Sequence, residues 1–273
     1  LAYVNGKAVT GMDVNHRFIE LTRCAKSGDT YEVAICAFTD RFFYRGQVEM
    51  NMAVRALNPY AHKLYYDLLV PYEVACELPL DDTRRIDIID HLNCALSLVD
   101  FRLPPGDELD ATLKQAIDYM RDEFYGKFCG EDDITVTCVG HTHIDTAWLW
   151  TLEQTRKKVA RSFSTAVNLL ERYDNMIFMS SQPQLYKYMQ EMLPETYEKI
   201  KELVKSGKWE TEGAMWVEAD TNIPCGESLV RQVMHGKRFF RKEFGTDSEI
   251  LWLPDVFGYS AALPQILKKS GVK

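Results

Sequence analysis

Residues 134–150 read ITVTCVGHTHIDTAWLW and gather His141, His143 and Asp145 into one short polar cluster crowded by Trp148 and Trp150. An imidazole and a carboxylate two positions apart in extended backbone point the same way. His143 and Asp145 are therefore placed to hold one cation between them. The alternative is capping, with Asp145 or Thr146 as N-cap of the helix that follows. Two more carboxylates suit the same place: GAMWVEAD ends in Asp220 and ILWLPD ends in Asp255. Like charges converging on one rim raise one another's pKa unless a cation is present. Singly, Asp220 and Asp255 read equally well as turn or N-cap residues. As a set, with Trp148, Trp216 and Trp252 beside them, they favour a site. Indole rings next to carboxylates suit a sugar, whose CH faces stack while its hydroxyls bond.

The elements that must position these groups follow from periodicity. Ile134, Val136, Cys138 and Val139 predict a buried strand of a parallel sheet, and the carboxyl ends of such strands are where metals and substrates bind. From about residue 131 strands and helices alternate. ITVTCVG, MIFMSSQ, WETEGAMWVEAD and EILWLPD read as strands. The helices between and after them are AWLWTLEQTRKKVARSFSTAVNLLERY, ETYEKIKELVKSG, ESLVRQVMHGKRFFRKEFG and SAALPQILKKSG, the last three closed by Gly207, Gly245 and Gly271. Four βα units of a parallel sheet result. If the four strands are parallel, Asp145, Asp220 and Asp255 emerge on one edge beside His143.

Residues 1 to about 80 read differently. YVNGKAV carries an Asn5-Gly6 hairpin signal, and EVAICAFTD, VEMNMAVRAL and KLYYDLLVPYEV are aromatic and β-branched runs separated by turns. Two helices follow, in RRIDIIDHLNCALSLVDF and ELDATLKQAIDYMRDEFY, split by Pro104-Pro105-Gly106. The expected fold is α/β: an amino-terminal antiparallel β domain with a helical arm (1–128), then the first four βα units of an incomplete parallel barrel-like catalytic domain (129–273). His16 and His91 read as surface or cap residues rather than ligands. Tyr3, Phe42, Phe43 and Tyr44 read as core rather than as a sugar-binding patch.

Composition narrows the function. A chain of 273 residues, 46% hydrophobic, can hold two domains or one large barrel. A net charge of −8 leaves no electrostatic footprint for nucleic acid or an anionic membrane. No apolar run approaches the roughly 20 residues of a membrane span, and the start LAYVNGKAV has no signal-peptide core. Seven cysteines without CxxC spacing, several in apolar runs, read as buried free thiols of a reducing, cytoplasmic compartment.

GHTHIDTAWLW, the WVEADTNIP stretch and WLPDVFGYSAALPQIL together resemble glycoside hydrolase family 38, the zinc-dependent retaining α-mannosidases, over roughly residues 131–273. YVNGKAVTGMDVNH resembles, more weakly, the amino-terminal β domain of the family's cytosolic, vacuolar and bacterial members. The resemblance implies that His143, Asp145 and Asp220 are zinc ligands and that Asp220 is also the nucleophile. It implies that Trp148 forms the floor under the mannose ring and that Asp255 and Arg231 contact the sugar. His141 becomes a supporting residue. The implied cofactor is Zn2+, with Co2+ as the other working metal, and the implied partner is a mannose-containing oligosaccharide, with a homo-oligomer left open.

The same resemblance places a fourth ligand, a His, and the general acid/base beyond Lys273; His235, inside a helical pattern, is a poor substitute. The expectation is that these 273 residues alone are inactive. Two other readings compete. An amidohydrolase-type hydrolase would use His141 and His143 as paired ligands and would need more histidines at later strand ends. A carbohydrate-binding module would bind mannose without zinc and would be indifferent to Asp220→Asn.

Overall fold

The computed structural model describes residues 1–37, 50–130 and 136–273. The chain forms two compact units: one joins the amino-terminal residues to Thr137–Lys273, and the other lies between them and runs to Val136. This division differs from the expected boundary after residue 128. The amino-terminal strands belong to the α/β unit, where the Gly11 amide donates to Thr165 Oγ1 at 3.0 Å. Gly11 sits so close to the neighbouring helix that a Cβ there would lie 2.2 Å from Arg161 Cγ.

In the first unit, β1 (Ala2–Val4) and β2 (Lys7–Thr10) form the expected hairpin, and β3 (Val33–Ile35) pairs antiparallel with β1. Asn5 and Gly6 both have positive φ, 50° and 78°, as the turn of a two-residue hairpin requires. Three two-residue strands make the parallel sheet in the order β4 (Gly140–His141), β5 (Phe178–Met179), β6 (Trp209–Glu210). A single parallel bridge, Gly213 to Leu251, continues it.

Helices alternate with these strands. α4 (Leu152–Arg172) follows β4, α5 (Pro183–Met192) and α6 (Pro194–Lys205) follow β5, and α7 (Gly226–Phe244) follows β6. α8 (Leu263–Lys269) comes last. Their apolar faces meet over the sheet: Val159, Phe163 and Leu170 of α4, Tyr186 and Met189 of α5, Ile200 of α6, Trp209 and Phe240 form one buried cluster. Each side chain of this size contributes about 1.5–3 kcal/mol on full burial. Its polar handles are paired, Trp209 Nε1 donating to Tyr186 OH (2.8 Å) and that hydroxyl donating to the Ser180 carbonyl (2.7 Å).

The second unit is helical: α1 (Pro59–Glu77), α2 (Thr83–Ser97) and α3 (Asp107–Tyr119), whose end widens into a π-helix over Met120–Phe128. α1 corrects the β reading of KLYYDLLVPYEV. Asn58 caps it by accepting from the Tyr60 and Ala61 amides, Pro59 suits the first turn, and Leu64, Pro71 and Ala75 form a buried stripe at helical spacing. The residues that suggested a strand, Tyr65, Tyr66, Val70, Tyr72 and Val74, are the exposed ones. Packing overrides their β propensity. His91 is not a cap: its ring packs on Phe124 and Phe128, and Nδ1 bonds to Tyr119 OH.

Other strands came out shorter than expected. Residues 50–57 of VEMNMAVRAL have no regular structure and are exposed. Val136 and Val139 are 77% and 46% exposed rather than buried, because pairing begins only at Gly140. EILWLPD contributes only its bridge at Leu251. All seven cysteines are exposed, correcting their expected burial. Phe42, Phe43, Tyr44 and Ile134 lie outside the described residues.

Candidate active site

The site is built where the three parallel strands end. Each is followed by a non-glycine residue in the left-handed region, Ala147 (φ 68°), Gln182 (φ 61°) and Ala214 (φ 57°). Such a conformation costs about 1–3 kcal/mol per residue and persists only when the surroundings over-determine it. They do so here. Thr155, fully buried on the first turn of α4, accepts from the Ala147 amide (3.0 Å) and Trp150 Nε1 (3.1 Å) and donates to the Asp145 carbonyl (3.1 Å). α4 itself starts at a Thr151–Gln154 capping box, so neither Asp145 nor Thr146 is its N-cap. Gln182, 2% exposed, donates through Nε2 to the Ile144 carbonyl (2.9 Å). Its Oε1 accepts from Thr146 Oγ1 and from the Glu218 amide, both at 3.2 Å. The loops after β4 and β6 are thus tied through the residue that follows β5.

His143, Asp145 and Asp255 come together beside these ties. His143 Nε2 lies 3.0 Å from Asp145 Oδ1 and 3.6 Å from Asp255 Oδ2, and one ligand atom from each residue falls within 4.8 Å of the others. Ligand atoms about 2.0–2.1 Å from a tetrahedral metal stand about 3.3 Å apart, so the separations from Nε2 bracket that value. On the other side of the ring, Nδ1 faces Glu218 Oε2 at 2.5 Å. The Glu218 side chain is 3% exposed, and its Oε1 accepts from Ser181 Oγ. The Nδ1 to Oε2 contact is an ion contact off hydrogen-bond direction, and neither atom has a hydrogen-bond partner among the described residues. Burial lowers the His143 pKa, but the carboxylates of Glu218 and Asp145 outweigh it and the net shift is upward. Three carboxylates around one imidazole leave net negative charge at this point, and the donor set of one nitrogen and two oxygens fits a divalent cation.

The remaining expected residues lie apart from that group. Asp220 is exposed, and its Oδ1 accepts from the amides of Asn222 (2.6 Å) and Ile223 (3.1 Å). Its loop is joined to the Asp255 loop through Thr221, whose Oγ1 donates to the Gly258 carbonyl and accepts from the Ser260 amide. Asp255, expected as a sugar contact, takes the third place in the metal-capable group. Trp148 is 63% exposed and meets Trp150 edge-on at 5.5 Å. Arg231 pairs along α7 with Glu227, and His235 is exposed on the same helix.

His141 is fully engaged: Nδ1 donates to the Met179 carbonyl (3.0 Å) and Nε2 accepts from Trp252 Nε1 (3.2 Å). With both nitrogens used, the paired His141–His143 ligand set of an amidohydrolase is not assembled. Glu218 went unrecognised in the sequence. Its signal was a carboxylate two positions before Asp220 in a stretch that reads as a strand.

The chain is similar to known proteins. Residues 133–273 match the model of the glycosyl hydrolases family 38 N-terminal domain. α-Mannosidase G of Dictyostelium discoideum is 34% identical over 100% of this chain and 26% of its own length. α-Mannosidase 2C1 of Mus musculus is 38% identical over 78% of this chain and 20% of its own, and an α-mannosidase of Saccharomyces cerevisiae is 36% identical over the same shares. The chain therefore spans about a quarter or less of the length of these relatives. Since the matched span exceeds half of the 273 residues, the chain belongs to glycosyl hydrolase family 38.

Proposed function

We propose that the protein hydrolyses terminal α-mannosyl residues of oligosaccharides with retention of configuration, using a divalent cation held at His143 and Asp145 with Asp255 beside them. The carrying observation is the convergence of His143 Nε2 with the carboxylates of Asp145 and Asp255 at strand ends. A bound Zn2+ or Co2+ would supply electrostatic hold on vicinal sugar hydroxyls. Asp220 is the proposed nucleophile and, by the same resemblance, a further ligand. Its support is the WVEAD stretch and the Thr221 ties that join its loop to that of Asp255.

In the proposed reaction an Asp220 carboxylate oxygen bonds to the anomeric carbon as the glycosidic oxygen leaves with a proton from a second carboxyl group. That group, now a carboxylate, takes a proton from water, whose oxygen displaces Asp220 and frees the sugar. Trp148, exposed beside Trp150, offers an indole face to the ring's CH groups. Arg231 is the proposed contact from α7. The short parallel strands are part of a barrel-like catalytic domain in this reading. A cytoplasmic setting belongs to the same proposal, supported by seven exposed cysteines with no disulfide among the described residues.

The test is metal content and hydrolysis of an aryl α-mannoside by the full-length protein, wild type beside Asp220→Ala. One bound divalent metal, an α-configured product, and activity lost in the variant with its fold intact are expected. Metal without glycosidase activity, or full activity in Asp220→Ala, would overturn the reading.

A further inference from the structure

We propose that Glu218 is the residue that aims His143 at the cation, a role that rests on the cation reading above. His143 stands between two kinds of carboxylate. On the Nε2 side, Asp145 and Asp255 have side chains 33% and 60% exposed, open to an arriving ion. On the Nδ1 side, Glu218 is 3% exposed and closed off. A carboxylate buried to that degree persists only when its charge is compensated. Among the described residues its side-chain partners are one neutral hydroxyl, that of Ser181, and the His143 imidazole.

Glu218 also has little freedom to turn elsewhere. Its amide is bonded to Gln182 Oε1, and Gln182 in turn holds the Ile144 carbonyl next to His143. Both ends of the Glu218–His143 contact are thus anchored to the same buried glutamine. A carboxylate fixed 2.5 Å from Nδ1 keeps a proton on that nitrogen. The lone pair then stays on Nε2, the nitrogen that faces Asp145 and Asp255. Histidines that bind metals commonly hold their second nitrogen's proton against a carboxylate, which fixes both tautomer and ring orientation; here the carboxylate acts through charge and proximity, in an ion contact rather than an aligned hydrogen bond. Glu218 needs no contact with substrate or with the ion to do this, so it is a positioning residue.

The experiment measures Zn2+ affinity of the full-length protein by competition with a chromophoric chelator, in wild type, Glu218→Gln, Ser181→Ala and His143→Ala. Nitrogen NMR of the Zn2+-loaded protein reads the His143 tautomer in parallel. Glu218→Gln should weaken Zn2+ binding by about 10–100-fold and remove the fixed Nδ1–H tautomer, which a merely structural role would leave in place. Ser181→Ala keeps the carboxylate but lets it swing, so it should show a smaller loss in the same direction. This second variant decides the matter if Glu218→Gln does not fold. Binding lost in His143→Ala but unchanged in the folded Glu218→Gln, or in Ser181→Ala where that one decides, overturns the role of Glu218 alone. No Zn2+ binding by wild type, or full binding by His143→Ala, overturns the cation reading and this inference with it.

Discussion

Gln182 is the most informative residue to perturb, because its side chain and its backbone make opposite demands. Replacing it with Ala removes the donor to the Ile144 carbonyl and the acceptor for the Glu218 amide. Gln182 itself is 2% exposed, so water reaches these groups poorly. Leaving a buried donor or acceptor unpaired costs about 1–3 kcal/mol, so the two together cost about 2–6 kcal/mol. Thr146 Oγ1, half-buried, loses a third bond but can turn to solvent. For a domain of this size each kcal/mol moves the melting temperature by about 2–4 °C, so the smallest expected fall is about 4 °C. Glycine at the same position loses the same bonds but relieves the left-handed backbone (φ 61°). It should therefore be more stable than the alanine variant by roughly 1 kcal/mol, the reverse of the usual order. The assay is thermal unfolding followed by circular dichroism, with Zn2+ affinity measured on the same samples. Both variants should bind Zn2+ more weakly, because the loops carrying His143 and Glu218 lose their common tie. A Gln182→Ala melting temperature within about 2 °C of wild type would refute the network argument. An alanine variant more stable than the glycine one would refute the strain argument.

Two further predictions concern the sheet behind the site. The Glu212 carboxyl pKa is raised, chiefly by burial, with Glu210 adding repulsion, and its buried Oε2 has no hydrogen-bond partner among the described residues. With the folded pKa above the ordinary value of 4.5, the charge penalty is absent below that value and fully present above the folded pKa. Glu212→Gln should therefore raise the melting temperature at pH 7 and lose that advantage by pH 4, and an equal gain at both pH values would contradict this. A Cβ at position 236 would lie 2.0 Å from the Ala214 carbonyl oxygen. Gly236→Ala should push α7 off that segment, stretch the bond from the Trp216 amide to the Gln232 carbonyl (3.0 Å), and cost at least about 1–3 kcal/mol by thermal melting.

The legible parts of this chain were those governed by local rules. The Asn5-Gly6 hairpin, the capped helices α2, α4 and α7, and the pairing of His143 with Asp145 all follow from residues within a few positions of one another. α5 had local signals too, in Pro183 and the spacing of Leu185, Tyr186 and Met189, although no element was expected there. Where reading failed, a distant partner decided. Tyr65 and Tyr66 look like strand residues until the stripe of Leu64, Pro71 and Ala75 finds α2 and α3 to pack against.

The same holds at the site, where the choice among Asp220, Asp255 and Glu218 cannot come from each strand's own pattern. It is made by Gln182, which ties the loops after β4 and β6 through one amide group, and by Thr221, which ties the loop after β6 to that of Asp255 through one hydroxyl. Both residues are almost fully buried and uncharged, so nothing in their type marks them as parts of a site. Carboxylates set so close repel one another. Neutral hydrogen-bonding groups hold the loops together without adding charge, which suits the proposed use of that negative charge to hold a cation. The residues that make such a site chemically capable are charged and visible in sequence, while the residues that bring them together must be neutral, buried and inconspicuous.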